Sequence, residues 1–158
     1  MFVYNVKISS AKKLVSILAA ASIAAAVICI VCMISVQSKV TDTATCDEIG
    51  IYALDAKTPD EQAEFLGRFN LLPDRDSMQS RMVVIPCEFD DVYSEYNEIQ
   101  KAIGLDLSRF KGKKVCEITY NLNKSKFKYA VLLVYKDKVI GAHLTDGEYG
   151  SKNVPLTQ

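Results

Sequence analysis

The chain has 158 residues, with 19 basic and 19 acidic side chains, one His and a formal net charge of zero. That length holds one ordinary domain, and an apolar content of 49% excludes a disordered tail. The missing basic excess argues against a nucleic-acid partner held by phosphate neutralisation, and one His with five scattered Cys offers little to a metal enzyme.

The zero balance hides a split along the chain. Residues 1–36 hold Lys7, Lys12 and Lys13 and no acid, so they carry +3, while residues 37–158 carry −3. Leu14 to Val36 is an uncharged run of 23 residues. As a helix it is roughly 34 Å long, enough for a hydrocarbon core of about 30 Å. The run exceeds the apolar core of a cleaved signal peptide, and no good small-x-small site follows it directly, so a retained anchor is expected over 14–36. The lysines just ahead of it place residues 1–13 in the cytoplasm and the rest of the chain outside the cell membrane, by positive-inside bias. Small residues recur four apart in the run, and Ala20 and Ala24 mark a candidate seam for span packing and homo-oligomer formation. The pair Cys29 and Cys32 has redox spacing but sits in the middle of an apolar helix, where two small hydrophobes are the better reading.

Residues 37–57 read as a tether of small and polar residues. Its one apolar patch, Ile49, Ile51, Tyr52 and Leu54, fits either an added strand or a short helix. The outer domain is expected over 58–158. Thr58-Pro59-Asp60-Glu61 is a helix start, with a capping residue, Pro at the first helical position and a capping-box Glu. That helix runs to about Phe69 with Phe65, Leu66 and Phe69 on one face, and Asn70 ends it. Asp74 to Ser80 reads as a polar loop, and Met82 to Ile85 as a short strand stopped by Pro86. Glu88 to Ile103 carries a helical stripe of Phe89, Val92, Tyr93, Tyr96, Ile99 and Ile103, closed by Gly104. Three strands follow. Lys114 to Leu122 alternates, with Cys116, Ile118, Tyr120 and Leu122 on one side and Glu117, Thr119 and Asn121 on the other. Tyr129 to Tyr135 is apolar on both sides, as suits a central strand. Lys136-Asp137 turns tightly into Val139 to Leu144. The expected fold class is α+β, with two helices packed on one face of an antiparallel sheet of about four strands.

These blocks resemble the bacterial domain-of-unknown-function family numbered 4830. The resemblance rests on the MFVY-x-VK opening before the span, the FLxxF helix at Phe65 to Phe69, and VIP-x-EFDDVYSEYNEIQ from Val84 to Gln100. GLDLSRFKGKKV from Gly104 to Val115 and VLLVYKDKVIGAHL from Val131 to Leu144 extend it. It implies a small anchored extracytoplasmic domain and no known activity. The chain departs from the family pattern at Asn70-Leu71, where Gly-Trp is frequent, at Asp137, where Gly is usual, and in the tail after Gly147.

Candidate chemistry is sparse. Cys46, Cys87 and Cys116 fall outside the span, and free thiols are expected, with a Cys87–Cys116 disulfide the alternative. His143 reads as a sheet-surface residue near the end of the last strand, and a Cys-His nucleophilic pair has no local signature. Asp90, Asp91, Glu95 and Glu98 read as a solvated helix face rather than a cation site. No metal site, cofactor or catalytic constellation is expected. Charge is again split: residues 37–106 carry −9 and residues 107–158 carry +6. Lys111, Lys113, Lys114, Lys124, Lys126 and Lys128 form a candidate patch for an anionic envelope partner, lipid headgroup or cell-wall polymer. The reading is a single-pass membrane protein with an extracytoplasmic binding or interaction domain. The alternatives are an envelope hydrolase or its regulator, which a pocket converging Tyr, His143 and carboxylates would favour, and a sensor subunit signalling through the span.

Overall fold

The computed structural model describes residues 40–148 and 150–157. The expected span over 14–36, the segment 1–13 and the Ala20–Ala24 seam lie outside the described residues. Among the described residues, no helix is long and apolar enough to cross a membrane.

The elements in chain order are β1 (Thr43–Cys46), β2 (Gly50–Ala53), α1 (Pro59–Gly67), β3 (Leu72–Val84), α2 (Asp91–Lys101), a 3-10 turn (Leu107–Phe110), β4 (Lys114–Asn123), β5 (Tyr129–Tyr135) and β6 (Lys138–Thr145). β3 to β6 form one antiparallel sheet in sequence order, and β1 and β2 form a separate hairpin. The α+β expectation therefore holds, with two helices and a four-stranded sheet among the described residues.

Local chemistry sets the helix ends. The Thr58 hydroxyl accepts from the Glu61 N–H at 3.3 Å, and the Glu61 carboxylate accepts from the Thr58 N–H at 3.1 Å, closing the capping box. Asn70 sits at φ +58°, where Asn is among the tolerated residues, and ends the first helical segment. Asp90 caps α2 by accepting from the Tyr93 N–H at 2.8 Å, so the second helix starts three residues later than the stripe alone predicts.

Three expectations are corrected. The stretch 43–56 is not tether: Ala44, Cys46, Tyr52, Leu54 and Ala56 are buried in the main core beside Phe65, Leu66 and Ile103. The Tyr52 hydroxyl donates to the Ile103 carbonyl, which anchors the hairpin to the end of α2. Second, the polar stretch Asp74 to Ser80 belongs to β3. Asp74 pairs with Asn121 and Gln79 with Thr119, with an irregular register between them. The Asn121 N–H donates to the Ser77 hydroxyl at 2.8 Å across this irregularity, so cross-strand bonding overrides the local preference for a loop.

Third, the helices do not share a face. Ile118, Tyr120, Leu132, Ala142 and Leu144 pack with α1 and the hairpin. Val115, Leu133 and Ile140 pack with Phe110 and with Tyr93 and Tyr96 of α2. β5 is apolar on both sides because it has cover on both sides. A register shift opposite Leu133 and Val134 places an extra residue, Ile140, in β6 and resets which of its side chains face α2.

Candidate functional site

α2 reaches across only part of its face of the sheet, because its firm attachment is to β6. Gln100, fully buried, accepts from the Ala142 N–H at 2.6 Å through its side-chain oxygen, and Tyr96 meets His143 edge-on with ring centroids 5.3 Å apart. Toward β3 the same face lies open as a groove of about 1010 Å³. Thr119 and Asn121 of β4, Val131 and Leu133 of β5, and His143 and Thr145 of β6 make its floor. Val92, Tyr93 and Tyr96 form one wall, and Ser77, Gln79, Arg81 and Val83 the other. A volume of this size is at the upper end of what small-molecule sites occupy.

The groove mixes aromatic, hydroxyl and apolar surface with little free charge. Glu117 also lines it, but its carboxylate accepts from Arg81 Nε at 2.5 Å across the β3–β4 ladder. His143 is 8% exposed, which corrects its expected place on the sheet surface. Burial pushes its ring down to about 4, so it is neutral at ordinary pH. Its Nδ1 lies 2.9 Å from the Tyr96 hydroxyl. Burial, then the neighbouring Tyr93 and Glu117, hold the Tyr96 phenol well above its usual range, so that hydroxyl stays protonated and shares a hydrogen bond with Nδ1. Tyr93 is also shifted upward, by burial first and by Glu117 second. The site thus offers ring faces, hydroxyls and amides for recognition, and its acid and base groups are already engaged with one another.

The residues singled out from the sequence end up elsewhere. Lys111, Lys113 and Lys114 lie at the start of β4, and Lys124, Lys126 and Lys128 in the turn beyond its end. A ten-residue strand separates these clusters by roughly 30 Å, so the six lysines form two small groups instead of one patch. Lys111 lies over the Phe89 ring at 4.6 Å, and Lys128 pairs with Glu148 at 2.8 Å. Asp90, Asp91, Glu95 and Glu98 are all exposed, as expected of a solvated face. Cys46 is buried, Cys87 exposed and Cys116 half-buried, all three as free thiols. Among the described residues, no group of three His, Cys, Asp or Glu is placed to hold a metal ion.

Sequence reasoning did not find the groove. Its one legible sign was the outward row Glu117, Thr119 and Asn121 on β4, which had no assigned cover. His143 was missed because its cover, Tyr96 of α2, comes from a helix distant in sequence.

Comparison with protein-family models matches residues 65–144 to Domain of unknown function (DUF4830). The matched stretch is 80 of the 158 residues. It holds β3, α2, β4 and β5 entire and all of β6 but its last residue, and so includes both walls of the groove. No curated protein and no solved structure matches the chain.

Proposed function

We propose, from the premise that this chain belongs to the DUF4830 family of domains of unknown function, that it is a single-pass membrane protein whose outer domain binds a ligand in the groove between α2 and β3. The groove is the observation that carries the binding reading: a cleft of about 1010 Å³ on a sheet face that a helix leaves half covered. What supports the membrane placement is the uncharged run Leu14 to Val36 with lysines just ahead of it. The domain acts by binding rather than catalysis. Its His is neutral and engaged by Tyr96, and its carboxylate is engaged by Arg81.

A second reading, an envelope hydrolase, draws on the convergence of Tyr93, Tyr96, His143 and Glu117 on this groove. It needs a nucleophile freed from these pairings.

One experiment in intact cells tests the proposal. A photo-crosslinking residue in place of Thr119, on the groove floor, is expected to give an adduct that the same residue in place of exposed Lys136 does not. A protease added outside the cells should remove the domain. Full protection from protease, or equal adducts at both positions, would overturn the reading. Loss of turnover of a cell-wall substrate in His143→Gln would favour the hydrolase instead.

A further inference from the structure

The two edges of the four-stranded sheet are treated differently. The β6 edge is covered: Asp55 bridges to Lys138 and Val154 to Leu144, and the Val139 N–H donates to the Leu54 carbonyl at 2.8 Å. The β3 edge has no neighbour among the described residues. Open edges of this kind template pairing with another strand unless something blunts them.

On β3 the blunting features are confined to its first half. Pro73, the charges Asp74, Arg75 and Asp76, and the irregular register between Asp74 and Gln79 all fall there. From Gln79 to Val84 the pairing with β4 is regular. This half carries one charge, Arg81, already neutralised by Glu117. It also exposes large apolar side chains: Met82 is 54% and Val84 62% accessible. The edge that is flat and unguarded is thus also the one that shows apolar surface.

We propose that the straight half of β3 is a dimer interface that pairs with the same strand of a second copy of this chain. The strand is self-complementary. A two-fold axis normal to the sheet keeps each side chain on its own face. An axis through Met82 sets Met82 against its copy, Ser80 against Val84 and Arg81 against Val83. An axis through Arg81 would oppose two like charges, which is unfavourable. Pairing about Met82 uses residues 80–84, a strand of ordinary length, and stays clear of the irregular stretch. It joins two four-stranded sheets into one, and it places the two grooves, each walled by Arg81 and Val83, side by side across the axis. The interface is independent of the Ala20–Ala24 seam, and it shares Ser80, Arg81, Val83 and Val84 with the lining of the groove.

Directly opposed residues of an antiparallel pair have Cα atoms about 4.5–5.5 Å apart, within reach of a disulfide. The test uses the full chain in detergent with Cys29→Ala, Cys32→Ala, Cys87→Ser and Cys116→Ala, the last because Cys116 lies directly opposite Met82 on β4. Mild oxidation of the Met82→Cys variant is expected to give a disulfide-linked dimer, and of Met78→Cys little or none. By sedimentation, Met82→Lys in the otherwise natural chain is expected to weaken the dimer at least tenfold while the dissociated monomer stays folded by its amide spectrum, because that side chain is exposed. Val84→Lys, a second exposed change, should act in the same direction. The proposal is overturned if Met82→Cys fails to crosslink, if Met78→Cys crosslinks equally well, or if both Lys variants remain dimeric while Ala20→Leu with Ala24→Leu dissociates the chain. A wild-type chain that stays monomeric would overturn it too, and would leave the groove reading standing.

Discussion

His143 pairs with Tyr96 in the floor of the groove, and burial lowers its ring from an ordinary value of 6.5 to about 4. In the interval between those values the unfolded chain binds a proton that the folded domain does not. Stability attributable to this residue is therefore complete above about pH 6.5, falls as pH drops toward 4, and changes no further below that. The loss is on the order of 3 kcal/mol. His143→Gln is expected to flatten the decline of the urea midpoint between pH 7 and pH 4 relative to the natural chain. An unchanged decline would show that the buried ring does not govern it. Neither the burial nor the partner was legible from sequence. The Tyr96 hydroxyl comes from a helix 47 residues away, and residue-level patterning carries no information about contacts at that distance.

Elements were read well where the signal is local. The capping box at Thr58, the alternation of β4 and the tight turn at Lys136-Asp137 each depend on a few adjacent residues, and each is present. The turn has both central residues at positive φ, Lys136 at +50° and Asp137 at +63°, as a two-residue hairpin of the type I′ form requires. Gly adopts that region without a side-chain penalty. The Asp137 carbonyl, which accepts from the Ala56 N–H at 2.9 Å, is retained in a Gly variant. Asp137→Gly is thus expected to raise the unfolding free energy by about 0.5–1 kcal/mol, measured by chemical denaturation. A loss of stability would mean that the Asp side chain contributes something the backbone geometry does not account for. The first half of β3 was misread for the complementary reason. A run of Asp, Arg and Ser has loop character by composition, and only its partner Asn121 and the Ser77 hydroxyl make it a strand.

For the whole domain, the largest revision concerns its beginning. Ala44, Cys46, Tyr52, Leu54 and Ala56 complete the main core, although the short patch around them gave no periodic signal strong enough to separate strand from tether. Tyr52 packs on both Phe65 and Phe69, with centroids 5.9 and 5.4 Å away. A chain beginning at residue 58 is therefore expected to lack cooperative unfolding and dispersed amide resonances, whereas one beginning at residue 40 keeps both. A well-dispersed spectrum from the shorter chain would overturn the assignment of residues 43–56 to the core.

That placement also has a consequence in time. The first strands are closed over by some of the last: Leu54 and Ala56 bond to Val139 and Asp137, and Lys138 reaches Asp42 at 2.8 Å and Asp55 at 2.6 Å. A ribosome delivers these partners more than 80 residues apart, so the first apolar surface of the outer domain waits for nearly the full length before this side of it is covered. Contacts of such sequence separation slow folding and lengthen the exposure of unfinished intermediates. The domain is thus built to fold late, once its C-terminal hairpin has been made, and its nascent chain depends during synthesis on whatever shields Leu54 and Ala56 in the meantime.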